Sequence, residues 1–334
     1  VAVLYLCGMA GTFLPVTAET DGSLTLWCAK DDDVVAGMHW QIYRVGYRVE
    51  DDFKTDGKWD KLKLGDIMKK VDHAKLLALR SADESVTVEL PLRIDFAGGW
   101  SDTPPICNLE GGAVLNAAVT LEGRKPIEVS VSPRRDGLVK VVSRDLGRRR
   151  LVKSAEELAD HADPNDWCAL VKSALAVTGF TFGSRGLDIT ISAGLPKGSG
   201  MGTSSILGAA VIAALLGRTD PDEVGELTLR LEAEMRTGGG WQDQFGGCIG
   251  GVKLLTSSPG ARQRIAVERI DHGWLGALLR ERALLYFTGQ KRMARNILRR
   301  VLSFYSENPH DFARILVRSL KAGAAEAAEA VRNH

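Results

Sequence analysis

The chain has 334 residues, 45% hydrophobic and 25% charged, which is enough for two ordinary domains with a substantial core. Lysine and arginine together number 43 against 42 acids, and the net charge of +1 excludes the basic footprint of a nucleic-acid-binding protein and a polybasic membrane anchor. The five cysteines, at 7, 28, 107, 168 and 248, are odd in number and form no Cys-x-x-Cys, so a disulfide framework or zinc ribbon is not expected and a reducing, cytoplasmic setting is.

Residues 1–16 are apolar but interrupted by Gly8, Gly11 and Thr12, and they lack the basic leader of a secretory signal. A chain that begins at Val1 reads as a fragment or a processed product. Apolar runs fall short of the ~18 residues that span a bilayer. Residues 1–85 carry no recognisable chemistry. They read as short strands at Ser23–Cys28 and Trp40–Tyr47, a polar stretch at 50–61 and a helical segment near 66–79, and are taken as a linker or the remnant of a preceding domain.

From Ser85 the pattern changes. Val86–Ile94 alternates like a strand, and Val114–Leu121 and Ile127–Val131 read as two more. The basic run Arg134–Lys153 alternates with Val139, Val141, Val142 and Leu151 and is read as a hairpin with a solvated face. Residues 155–160 and 165–178 look helical. Leu187–Ile191 is a strand that enters a glycine-rich loop, and residues 203–216 follow as a helix apolar on nearly every side, hence buried, with Gly217 as its stop. A second helix is predicted from Asp220, which can cap it, with Pro221 at its first position and Glu223 where a capping box places an acid. Its buried stripe is Val224, Leu227, Leu231 and Met235, and Gly238–Gly240 end it. A strand at Leu284–Tyr286, a helix around 291–305 and an alanine-rich helix at Leu320–Val331 complete the chain.

Three segments carry chemistry. In Pro196-Lys-Gly-Ser-Gly-Met-Gly-Thr203, Gly198, Gly200 and Gly202 clear the side chains that would keep a phosphate from the backbone, and the helix that follows offers unpaired N–H groups. Such glycines also suit a tight strand–helix turn, but Thr203, Ser204 and Ser205 add hydroxyls that can cap the helix or ligate magnesium. The segment lacks the Gly-Lys-Ser/Thr ending of a Walker loop. The second segment, Gly238-Gly-Gly-Trp-Gln-Asp-Gln244, holds an acid between glycines and amides, an arrangement that suits a base or an Asx-turn. The third, Arg93-Ile-Asp-Phe-Ala-Gly-Gly-Trp-Ser-Asp-Thr-Pro-Pro105, presents Trp100, Ser101 and Asp102 after a glycine pair, a ring face and an acceptor carboxylate of the kind a sugar site uses. The six histidines form no His-Glu-x-x-His, so no histidine metal site is expected.

In this order, over roughly residues 85–305, the segments resemble the GHMP kinase superfamily, and within it the L-fucokinases, including the kinase half of bifunctional fucokinase/GDP-fucose pyrophosphorylases. The resemblance implies an α+β fold, with a ribosomal protein S5 domain 2-like N-terminal domain at 86–281 and an incomplete C-terminal α+β domain from 282 to 334. It implies ATP and Mg²⁺ as cofactors, a small-molecule sugar acceptor, no nucleic acid or membrane partner, and a fused or adjacent guanylyltransferase domain. By motif position it makes Asp243 the catalytic acid–base and Arg93 the basic residue beside it. It places Asp102, Trp100 and Ser101 at the sugar, and Pro196, Gly198, Ser199, Gly200, Gly202, Thr203 and Ser204 at ATP. The magnesium ligands become Ser204 and Glu232; helical spacing alone leaves Glu232 and Glu234 open, and the family spacing to the aspartate selects Glu232.

Thr203 and Ser205 depart from the serine and alanine usual on either side of Ser204, which reads as a mild change. The family's third motif, of the type Gly-Ala-Gly-Gly-Gly-Gly, does not follow Gly289, so part of the cleft is expected to be missing and an apolar face left uncovered. Alternatives to a fucose kinase are a kinase for another sugar, such as a heptose phosphate, and a non-catalytic truncated module.

Overall fold

A computed structural model describes residues 85–283 except 160–162, 164–165, 184–185, 196–198, 218–219, 236, 261–262 and 271–272; it also describes 303, 304, 307 and 317–333 and, nearer the start, the segments 4–7, 13–18 and 24–26. The chain divides into two compact units, Val1–His73 with Asn296–Arg314 and Ala74–Arg295 with Ile315–His334. In the first, β1 (Leu4–Cys7), β2 (Phe13–Ala18) and β3 (Leu24–Leu26) form an antiparallel sheet in the order β1-β2-β3. The strand read at 23–28 thus contains β3. The strand at 40–47, the helix at 66–79, the strand at 284–286 and most of the helix around 291–305 lie outside the described residues.

The second unit begins with a correction to the reading of 86–94 as one strand. Pro91 stands between β4 (Val86–Leu90) and β5 (Leu92–Ala97), and the two belong to different sheets. Proline has no N–H to give to a ladder, so the chain leaves one sheet and joins the other there. Helix α1 (Ile106–Glu110) and β6 (Gly112–Val119) follow, then β7 (Ile127–Arg134) and the hairpin β8 (Val139–Ser143) and β9 (Arg148–Val152). The basic run is therefore the expected hairpin, but its inward residues are Val139, Val141 and Val152, while Leu151 faces solvent.

Helices α2 (Ala155–Ala159) and α3 (Ala169–Val177) lead to β10 (Gly186–Ser192), and the five-stranded sheet is ordered β4-β7-β10-β8-β9. After β10 come α4 (Thr203–Leu216), α5 (Pro221–Glu234) and the short α6 (Gln242–Cys248). Helix α4 has the predicted bounds and ends at Gly217 in the left-handed region, φ 68°. From Ile206 to Leu216 it is buried almost throughout, packed across β4 and β7 and against α3 and α5. The Asp220 side chain caps α5, accepting from Asp222 N at 2.9 Å and Glu223 N at 3.2 Å.

Strands β11 (Val252–Ser257) and β12 (Ile265–Arg269) complete the four-stranded antiparallel sheet β12-β11-β6-β5, followed by α7 (Trp274–Arg282) and α8 (Arg318–Arg332). Side chains alternate across a strand, and β6 uses both faces. Val114 packs with Trp241 and Phe245 on the α6 side, and Ala113 and Leu115 pack with Ala324, Ala328 and Val331 of α8 on the other. Helix α8 lies in the same compact unit as this sheet and closes its outer face, and its alanines at i and i+4 allow a close approach. Among the described residues no helix is long and apolar enough to cross a membrane.

Candidate functional site

Three pieces of chain distant in sequence meet where β5, the start of α4 and the start of α6 come together. Arg93, in β5, is buried and donates from Nε to Asp243 Oδ1 at 2.7 Å; its Nη2 donates to the same oxygen. Its Nη1 donates to the Gly200 carbonyl at 3.2 Å and pairs with Asp95 Oδ2 at 2.9 Å. One guanidinium thus ties the glycine-rich loop to the acid of the Gly-Gly-Gly-Trp-Gln-Asp-Gln segment. Burial opposes its charge, but Asp243 and Asp95 outweigh burial and hold its pKa above the ordinary value.

Asp243 lies in the first turn of α6 and keeps part of its surface. Its second oxygen, Oδ2, accepts from Ser205 Oγ at 3.3 Å. The loop backbone comes equally close. Gly202, the N-cap of α4 at φ 69°, has Asp243 Cγ only 2.9 Å from the place a Cβ would occupy. A side chain there would push the carboxylate away, so the glycine serves approach to the acid as well as to a phosphate. Ser199 Oγ lies 3.1 Å from Thr203 Oγ1 and Ser204 is exposed at the helix start; Pro196 and Gly198 lie outside the described residues.

Glu232 and Glu234 now separate. Glu234 is exposed, whereas Glu232 is 6% exposed, with Thr237 Oγ1 donating to its Oε2 at 3.3 Å and, among the described residues, no hydrogen-bond partner for its buried Oε1. Burial pushes its carboxyl up to about 7, although the hydroxyls of Ser205 and Thr237 favour the ionised form. A buried carboxylate oxygen without a donor suits a cation. Among the described residues no three His, Cys, Asp or Glu side chains cluster as a metal cage. Magnesium does not need one, since it is typically held by one or two protein oxygens together with substrate phosphates. Glu232 and the Ser204 hydroxyl fit such a role.

The Gly-Gly-Trp-Ser-Asp segment is arranged differently from expectation. Ser101 and Asp102 are both 0% exposed. Ser101 Oγ donates to the Gly98 carbonyl at 2.7 Å and accepts from Ala113 N at 3.0 Å, stapling the turn to β6. Asp102 Oδ2 accepts from Gln242 N at 2.9 Å. It thereby caps α6, whose own N-cap residue, Trp241, supplies no side-chain bond. Asp102 therefore orients the helix that bears Asp243. Ser101 and Asp102, expected at the sugar, are both enclosed here and bonded to main-chain groups. Burial pushes the Asp102 carboxyl up to about 7, against the opposing Gln242 N–H, and its Oδ1 lacks a partner. Trp100 alone of the three keeps exposed surface, and it holds φ 79°, a strained value for a residue with a side chain.

Sequence reasoning missed four members. Asp95 is two residues from Arg93 in a strand, hence on its face, a signal that was available. Ser205 was visible as a hydroxyl in place of the usual alanine, but its bond to Asp243 was not; the fully buried Lys253, whose Nζ donates to the Gly246 carbonyl at 3.0 Å and the Gly251 carbonyl at 3.2 Å, offered no such signal. Burial lowers Lys253 to about 7, with Asp95 pulling the other way. Trp241, amid the glycines, is a core anchor packed with Cys107, Val114 and Phe245.

Residues 169–251 match the model of the GHMP kinases N terminal domain. The chain is 41% identical over 243 residues, 70% of its length, to the bifunctional fucokinase/GDP-fucose pyrophosphorylase of Arabidopsis thaliana. It is 36% identical over 275 residues, 75% of its length, to the L-fucokinase/L-fucose-1-P guanylyltransferase of Bacteroides fragilis. It spans 23% and 29% of those two proteins. In fold it is similar to the crystal structure of a D-glycero-D-manno-heptose 1-phosphate kinase from Bacteroides thetaiotaomicron, with a TM-score of 0.50 and 19% identity, covering 74% of this chain and 76% of that one.

Proposed function

We propose that this chain, whose residues 169–251 match the model of the GHMP kinases N terminal domain, is part of an ATP-dependent sugar kinase acting on the anomeric hydroxyl of L-fucose. The observation that carries the reading is the Arg93–Asp243 pair set against the start of α4, which joins a proton acceptor to a loop able to hold phosphate. Fucose as the acceptor, and fucose 1-phosphate destined for GDP-fucose as the product, are supported by the names of the two curated relatives. A fused or adjacent guanylyltransferase domain belongs to the same reading.

In the proposed reaction the loop at 196–204 and the first N–H groups of α4 hold the phosphates of ATP. Asp243 accepts the proton of the sugar hydroxyl as its oxygen bonds to the γ-phosphorus. The bond from that phosphorus to the bridging oxygen breaks, and ADP leaves with the bond's electron pair. Arg93 pairs with Asp243 and fixes its orientation against the loop. Asp102 and Ser101 hold the α6 and β6 frame, and Trp100 offers its ring to the sugar. Ser204 and Glu232 would hold a magnesium ion together with the nucleotide, and the ion would supply neutralisation of phosphate charge.

A coupled ADP-release assay across L-fucose, other free sugars and heptose phosphates tests this. L-Fucose-dependent turnover is expected, and Asp243→Asn lowers it about 10²–10⁴-fold, the range for a positioned base, with ATP binding retained. Turnover on a heptose phosphate in place of L-fucose would overturn the acceptor, and an unchanged Asp243→Asn variant would remove the base.

A further inference from the structure

Ser205 stands where alanine is usual in the motif the chain resembles. It is the third residue of α4, the helix opened by the glycine-rich loop, and it is 8% exposed. Its Oγ donates to Asp243 Oδ2 across 38 positions of sequence. The Glu232 carboxyl is the other acid within the hydroxyl's influence.

The two oxygens of Asp243 are not equivalent. Arg93 directs both Nε and Nη2 at Oδ1 instead of spreading over the carboxylate as a two-point fork. Oδ1 is therefore committed to the ion pair, and among the described residues Oδ2 accepts from Ser205 alone. A carboxylate oxygen has two lone-pair directions, so Oδ2 keeps one for a proton from outside. The same turn of backbone that would touch a phosphate, Gly202 and Gly200, also touches Asp243 and Arg93.

We infer that Ser205 is a positioning residue that locks the Asp243 carboxylate to the start of α4, so that Oδ2 is the proton-accepting atom and is held in register with the phosphate loop. The inference rests on the kinase reading above. Without the hydroxyl, Asp243 keeps its ion pair and can still rotate about it, which lowers the fraction of bound complexes aligned for transfer but leaves the binding of either substrate intact.

The test uses the full chain with Ser205→Ala, which restores the common residue, and Ser205→Thr, which keeps the hydroxyl. Steady-state turnover with ATP and L-fucose is expected to fall about tenfold in kcat for Ser205→Ala, the equivalent of ~1.4 kcal/mol. KM for both substrates stays within about twofold and Ser205→Thr recovers most of the loss, a pattern that lost packing would not produce. A Ser205→Ala chain that turns over like the wild type, or one whose loss lies wholly in KM, overturns the inference. A measurement without turnover keeps it testable when no kinase activity is found, a result that would sink the kinase reading instead. In a double-mutant cycle of Ser205→Ala and Asp243→Ala, the shifts in urea midpoint are expected to be non-additive. Additive shifts would mean that the two side chains do not interact, and the inference fails.

Discussion

Replacing Asp102 by asparagine tests the electrostatics of the site without altering its shape. The unfolded carboxyl titrates near 3.8 and the folded one is pushed up to about 7, chiefly by burial. The folded chain thus holds this proton more tightly than the unfolded chain does. The stabilisation from the neutral form is complete below pH 3.8 and is lost as the pH rises through about 7. At 1.36 kcal/mol for each tenfold in proton affinity, the gap corresponds to about 4 kcal/mol of stability lost across that window. An asparagine carbonyl can still accept the Gln242 N–H, so the cap on α6 survives while the ionisable group is removed. Glu232, also pushed up to about 7, chiefly by burial, leaves a slope of the same sign behind, and because the Asp102 charge helps to raise it, the effects overlap. Urea unfolding with EDTA at pH 4, 5.5 and 7.5 is the assay. Relative to the wild type, Asp102→Asn should gain about 2–4 kcal/mol of stability between the lowest and highest pH. Parallel pH curves for the two proteins would show that the carboxyl is hydrated or paired in solution, and the reasoning from burial would fail.

Two further perturbations follow from the packing around the site. Gly239→Ala places a Cβ 1.7 Å from Glu232 Oε2 and 2.7 Å from its Cδ, so the acid must move; thermal or urea unfolding should register a loss of ~1–3 kcal/mol. Most of that loss should return when Glu232 is also alanine, and a double variant as unstable as the single one would place the clash elsewhere. Asp145, in the β8–β9 turn, accepts from Ala193 N at 2.7 Å, Gly194 N at 3.3 Å and Ser192 Oγ at 2.9 Å, and so fastens the segment that leads into the glycine-rich loop. Asp145→Ala should weaken ATP binding several-fold by calorimetry and cost ~1–2 kcal/mol of stability; unaltered affinity would mean that the loop is held without this turn.

Much of the architecture was legible because it depends on neighbours in sequence. The bounds of α4 follow from a continuous apolar run between glycines, and the start of α5 from Asp220 followed by Pro221. The three chemical segments could be found for the same reason, since glycines and hydroxyls before a helix have a local meaning. The division of 86–97 at Pro91 was also written in the chain, but the alternating pattern across it concealed that its two halves serve different sheets. What could not be read was the direction of the polar side chains. Ser101 and Asp102 sit in a turn that looks exposed, yet tertiary packing encloses both and turns them onto main-chain groups.

Sequence by itself therefore determined α4, the start of α5, the basic hairpin and the segments from which a site could be made. Tertiary structure decided which atoms meet there. Arg93 and Asp243 are 150 positions apart and Ser205 and Asp243 are 38 apart, separations for which no periodicity carries information. It also buried Glu232 while leaving Glu234 exposed and set the proton affinities of the buried acids, because desolvation depends on what surrounds a group in space and not on what precedes it in the chain.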